Sequence, residues 1–152
     1  MASPLHKIMY TSTAVELFSG EELDQLMYSA RRKNAHFGVT GCLIYHEGSI
    51  IQYLEGPKTS LDFIYPSIAD DRRHQHVQLL CNEMIESRAF RDWTMALRYI
   101  PQDALHHYQT VYDLFEDMME TKSVDKLTRQ ARLFFETFLD TCQLRGGNMG
   151  LA

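Results

Sequence analysis

Val39-Thr40-Gly41-Cys42-Leu43-Ile44-Tyr45, His46-Glu47-Gly48-Ser49 and Ile50-Ile51-Gln52-Tyr53-Leu54-Glu55 follow one another without a break. Two apolar-rich runs flank a short turn that holds a glycine, which is the pattern of a β-hairpin. Gly56-Pro57 ends the second strand. Upstream, Ser19-Gly20-Glu21-Glu22 has the S-x-x-E spacing of a capping box. The helix it opens carries Leu23, Met27 and Ala30 on one stripe with Leu26 beside it, and should end between Asn34 and Gly38. Before that helix, Leu5 to Ser12 alternates as a strand, with Ile8, Tyr10 and Ser12 on one face and Met9 and Thr11 on the other.

Downstream of the hairpin, Leu61, Ile64, Tyr65 and Ile68 recur at helical spacing. Pro66 lies inside that pattern and is expected to remove one hydrogen bond and kink the helix. Val77 to Ile85 and Thr94 to Ile100 read as further strands, and Pro101 closes this part. The remainder is helical in pattern. One helix carries Leu105, Tyr108, Tyr112, Phe115 and Met119; the next carries Val124, Leu127, Ala131, Phe134, Phe138 and Cys142. The glycines from Gly146 to Gly150 mark a frayed tail.

The fold class is therefore α+β, in the order β-α-β-β-α-β-β. Its first six elements follow the ferredoxin-like plan, with both helices on one face of an antiparallel sheet. Met9, Ile51 and Tyr53 point to the other face, which a C-terminal two-helix extension or a second subunit should cover. The expected organisation is a domain at 1–100, a helical extension at 101–145 and a flexible tail at 146–152.

The chain has 152 residues and a formal net charge of −5. That length supports one domain able to bury roughly two-thirds of its unfolded surface. The acidic balance argues against a nucleic-acid partner, which needs clustered Lys and Arg. Arg31-Arg32-Lys33 is short and reads as a solvated face near a helix C-terminus. No apolar run approaches the ~20 residues needed to span a bilayer, and Met1 to Tyr10 lacks the pattern of a signal peptide. The odd set Cys42, Cys81 and Cys142 has no CxxC spacing and reads as buried thiols in a reducing compartment. A cytoplasmic location is expected.

Some residues do not suit a plain core. Asn34 continues the stripe of Leu23, Met27 and Ala30, and Gln52 lies between Ile50 and Leu54 on one strand face. A buried amide left unpaired costs on the order of 1–3 kcal/mol. Asn34 is either a helix C-cap or a buried amide. Gln52 either faces inward or, with the register shifted by one residue, faces solvent. Tyr10 is either a core tyrosine with its hydroxyl at the rim or part of a site. Two amides and a phenol aimed at one layer would suit a flat polar ligand.

Several motifs are set aside. There is no GxGxxG, Walker-type loop or G-x-S-x-G. His74-Gln75-His76 lacks the further ligands of a metal site, and Asp70-Asp71 reads as a surface pair. Phe134, Phe135 and Phe138 read as core or subunit interface.

In its order of motifs the chain resembles the BLUF photoreceptors, sensors of blue light using flavin. The match runs from about Leu5 to Ala96. It comprises Tyr10-Thr11-Ser12, Asn34, Val39-Thr40-Gly41, Gln52-Tyr53-Leu54-Glu55-Gly56, Asp71-Arg72-Arg73-His74, Arg88-Ala89-Phe90 and Trp93-Thr94-Met95. The resemblance implies a flavin ring held between the two helices, FAD by family expectation and FMN as the alternative. It implies Tyr10 as the redox-active tyrosine, Gln52 as the switching amide and Asn34 on the pyrimidine edge. Leu26 and Ile68 would clamp the ring. Lys33, Asp71, Arg73 and His74 would meet its edge, the ribityl chain or the phosphates. Met95 and Trp93 match the pair that changes contacts during signalling, and which of them adjoins Gln52 stays open.

The implied function is a light sensor without a catalytic domain of its own, signalling to an unidentified protein partner or through a homo-oligomer. A small electron-transfer flavoprotein and a flavin-free interaction module are the competing readings.

Overall fold

The computed structural model describes residues 3–91, 95–100 and 129–151. In chain order the elements are β1 (Leu5–Ala14), α1 (Gly20–Phe37), β2 (Thr40–His46), β3 (Ser49–Pro57), α2 (Lys58–Ala69), β4 (His74–Met84), β5 (Ala96–Tyr99) and α3 (Arg129–Leu151). Trp93 and the helix expected around Leu105 to Met119 lie outside the described residues.

The β2–β3 hairpin forms as its turn chemistry dictates. Glu47 and Gly48 have φ of 48° and 81°, the paired positive values of a two-residue type I′ turn, whose twist matches the flanking strands. Gly41 serves a different need, because a Cβ there would lie 2.0 Å from the Tyr53 carbonyl oxygen. The strands join in one sheet of order β4-β1-β3-β2-β5. The first four pair antiparallel, as the ferredoxin-like plan requires. The last, β5, runs parallel to β2 and forms an edge.

The capping box is present at the start of α1: Ser19 Oγ accepts from the Glu22 N–H, and Glu22 Oε1 accepts from the Ser19 N–H, each at 3.1 Å. The helix ends at Gly38, whose φ of 69° and N–H bond to the Asn34 carbonyl make it the C-cap. Asn34 is thus a buried helical residue and not the cap. Pro66 does not stop α2, which continues to Ala69. The bond it removes would have run to Asp62, on an exposed turn where water can serve that carbonyl.

Strand alternation divides the core into two clusters. On one face Ile8, Tyr10, Leu43, Leu54 and Met95 pack with Leu23 and Met27 of α1 and Leu61 and Ile64 of α2. On the other, Met9, Cys42, Ile44, Ile51 and Tyr53 pack with Phe90 and with Ala131, Phe134, Phe135 and Phe138 of α3. The aromatic stripe is therefore core, and α3 covers the second face. This helix also continues to Leu151 through the glycines where the sequence suggests a flexible tail. Each glycine costs about 1 kcal/mol against alanine, but a nucleated helix propagates bond by bond. Cys42 is fully buried, and both it and Cys81 are free thiols. Among the described residues, no helix is long and apolar enough to cross a membrane.

Candidate functional site

Between α1, α2 and the sheet lies a cleft of about 290 Å³, near the lower end of the range for small-molecule sites. Its floor is the strand face that carries Tyr10, Leu43, Ile50 and Gln52. One wall is α1, with Leu26, Met27, Ala30, Lys33 and Asn34; the opposite wall is α2, with Ile64, Ser67 and Ile68. Asp71, Arg73 and His74 complete it where α2 turns into β4, and Phe18 adds an aromatic edge. Every residue that the sequence reading assigns to flavin thus lines one cavity: Tyr10, Leu26, Lys33, Asn34, Gln52, Ile68, Asp71, Arg73 and His74.

Tyr10 and Gln52 are direct cross-strand partners of β1 and β3, so their side chains rise from the same face as neighbours. On the other side of β1, the pairing with β4 shifts register between Met9 and Tyr10, an irregularity of the kind that re-aims side chains beside functional sites. The Tyr10 hydroxyl donates to Gln52 Oε1. Gln52 Nε2 in turn donates to Met95 Sδ at 3.5 Å. Sulfur can only accept here, so the amide must aim its nitrogen at Met95 and its oxygen at the phenol. Gln52 thus faces inward with Met95 beside it, while Trp93, the other candidate, lies outside the described residues. Burial holds the Tyr10 phenol well above the usual range, reinforced by Tyr65 and Asp71 nearby.

The polar groups at the α2–β4 turn are largely committed to one another. His74 Nε2 lies 2.6 Å from the Ile68 carbonyl and Nδ1 lies 2.8 Å from Ser12 Oγ. A carbonyl only accepts, so Nε2 donates to it, and Nδ1 shares a hydrogen bond with the Ser12 hydroxyl. His74 thereby fastens the end of α2 to β1, with its ring 6.1 Å from that of Tyr10. Arg73 donates to both carboxylate oxygens of Asp71, through Nη2 at 2.5 Å and Nε at 3.0 Å, and holds that carboxyl below its usual range. Lys33 Nζ reaches Ser67 Oγ at 3.3 Å, bridging the two helices at the mouth.

Two residues had no role in the sequence reading. Arg31, read there as part of a solvated face, donates from Nε to the Met95 carbonyl at 2.8 Å. Glu55 is fully buried; its Oε2 accepts from the Ala89 N–H at 2.8 Å and its Oε1 from the Phe90 N–H at 2.6 Å. Burial raises its pKa, while those N–H groups and Arg88 oppose the shift. Arg88 itself donates to Thr40 Oγ1 and to the carbonyls of Glu55 and Gly38. A signal for Glu55 was available, since a charge continues the inward face of Ile51 and Tyr53. Arg31 had none, because its partner is a backbone atom 64 residues away.

The donor set fits a flavin ring. The walls are aliphatic on both sides, and the buried amides of Asn34 and Gln52 offer both donors and acceptors to a heterocycle edge. Comparison with known proteins agrees. The family model described as BLUF, sensors of blue-light using FAD, matches residues 5–96. The photoactivated adenylate cyclase subunit beta of Euglena longa is 36% identical over 94 residues, covering 61% of this chain and 11% of that protein. The structure of BlrB, a BLUF protein in its dark state, superposes with a TM-score of 0.67 at 24% identity, over 93% of this chain and 99% of that one. That of Klebsiella pneumoniae BlrP1 with FMN and cyclic diGMP gives 0.72 at 24% identity, over 90% and 34%. The chain spans about a tenth of the length of the curated relatives it matches first.

Proposed function

The chain belongs to the BLUF family of blue-light sensors, and from that membership we propose that it senses blue light through Tyr10, Gln52 and Met95, with FAD in the cleft between α1 and α2. The observation that carries this reading is the continuous line from the Tyr10 hydroxyl through the Gln52 amide to Met95 Sδ. FAD follows the family description; FMN, present in the BlrP1 structure, is the alternative. Leu26 and Ile68 would flank the ring, Asn34 would meet its polar edge, and Lys33 and Arg73 would serve the phosphates. Asp71 and His74 support that end of the cleft through Arg73 and α2.

A bound flavin supplies the absorption of blue light and, when excited, a strong pull on a nearby electron. Tyr10 is the residue built to respond. Its phenol is held neutral by burial, and its proton already points at Gln52 Oε1. Loss of an electron and movement of that proton to the amide oxygen are therefore coupled in one group, and both return to Tyr10 before the cycle ends. Gln52 can return from this event rotated or as a tautomer, with donor and acceptor exchanged. In the rotated form an acceptor faces Met95 Sδ, which cannot donate, and that contact fails. Met95 immediately precedes β5, so the disturbance enters the sheet edge. Output then passes to another protein or to a change in self-association, without catalysis by this chain.

The test is the visible spectrum of the purified protein before and after blue light, followed in darkness. The expected result is a flavin spectrum that shifts slightly to the red and recovers without bleaching. Tyr10→Phe should keep the flavin and lose the shifted state, and Gln52→Leu should do the same. A normal photocycle in Tyr10→Phe would sink the assignment. Bleaching to a reduced flavin would favour an electron-transfer protein, and protein that cannot take up flavin would favour an interaction module.

A further inference from the structure

We propose that Arg31 is a positioning residue for the light switch: it holds the Met95 peptide against Gln52 and thereby sets the rate at which the shifted state decays. The inference rests on the reading of Tyr10 and Gln52 as the photoactive pair.

Met95 is fully buried and its Sδ accepts from Gln52 Nε2. Its backbone lies just outside the sheet, because pairing between β2 and β5 begins one residue later, at Cys42 opposite Ala96. What ties the Met95 carbonyl is the Arg31 guanidinium, whose Nε donates to it at 2.8 Å. A donor carrying a full charge makes a stronger bond than a neutral one. Upstream, the same segment is fastened at Ala89 and Phe90 by Glu55. Met95 is thus held at its side chain by the switching amide and at its carbonyl by α1.

Exchange of donor and acceptor at Gln52 sets two acceptors, oxygen and sulfur, against each other. Relief requires Met95 to move, and movement stretches the Arg31 bond. Arg31 therefore favours the resting arrangement and draws Met95 back to it. The neighbouring Arg32 makes no such contact; its guanidinium lies over the Tyr28 ring at 5.8 Å. Arg31 is on the exposed side of α1, so its truncation leaves the core intact.

Dark recovery after a blue flash is measured on flavin-loaded wild type, Arg31→Ala, Arg31→Lys and Arg32→Ala. All four should bind flavin and show the red-shifted state. Arg31→Ala should recover about tenfold more slowly, the rate equivalent of one hydrogen bond from a charged donor. Arg31→Lys, which keeps a charged donor, should fall between Arg31→Ala and wild type, and Arg32→Ala should match wild type. Recovery of Arg31→Ala at the wild-type rate or faster overturns the proposal, and so does an equal slowing in Arg32→Ala. A wild type that shows no shift removes the photoactive pair itself, and this inference with it.

Discussion

Gln52 and Tyr53 are adjacent in sequence and lie on opposite faces of the sheet, in two interiors of different character. The Tyr53 face is aromatic: Tyr53, Phe90 and Phe134 pack with ring centroids 5.3 to 6.2 Å apart. Its most deeply buried carboxyl, Glu55, accepts from two backbone N–H groups that can only donate. The Gln52 face contains a cleft, and one of its buried polar groups is an amide between a phenol and a thioether. A carboxylate facing two fixed donors has one arrangement. An amide between a phenol, which can donate or accept, and a sulfur that binds weakly has two. The difference separates a face that fixes the fold from a face that can switch.

The largest test of this division is Phe134→Ala. Removing a fully buried ring should cost about 3–5 kcal/mol, read by denaturant unfolding, yet the folded fraction should keep its light-induced shift. Loss of the shift in protein that remains folded and loaded would mean that the two faces are not independent. Glu55→Gln comes next. Its amide N–H₂ must oppose either the Ala89 or the Phe90 N–H, at a cost of about 2 kcal/mol. The smallest effect is common to both faces. Burial raises the phenol pKa of Tyr10 on one side and Tyr53 on the other. The folded chain keeps these protons after the unfolded chain has lost them, so each phenol's stabilisation is intact below about pH 10 and declines as pH rises further. The expected slope is about 1.4 kcal/mol per pH unit for each phenol. Tyr10→Phe and Tyr53→Phe should each lower the slope by about that amount, while the share of Cys42, whose thiol burial also raises, stays in both variants; a slope unchanged by either would place that phenol in contact with solvent.

Much of this arrangement was legible in the sequence, because local rules determine it. The hairpin turn, the capping box at Ser19 and the inward alternation of Ile8, Tyr10 and Ser12 depend on neighbours a few residues apart. The residues assigned to flavin followed from the family resemblance, and all of them line one cavity, whose lining also includes Phe18, Leu43 and Ser67, which it did not point to. What could not be read depended on distant partners. Asn34 and Gly38 were both plausible ends for α1, and the positive φ of Gly38 decides between them. The parallel attachment of β5 to β2 leaves no periodic trace. Arg31 looks like its basic neighbours until the Met95 carbonyl is placed beside it. Pro66 shows the limit of a local rule, since the cost it signals falls on a solvated turn.

One consequence concerns β5. It is four residues long, pairs on one side with β2 alone among the described residues, and is fastened at its far end where the Ile100 N–H reaches the Tyr45 carbonyl and His46 Nδ1 lies 2.7 Å from the Ile100 carbonyl. Local opening requires the least free energy where the fewest ladder bonds must break. The sheet therefore has its weakest seam directly behind Met95. Separation of this short edge strand would lift Ala96 from one interior and Leu97 from the other at once, so a disturbance at Met95 would reach both faces of the sheet by the same opening.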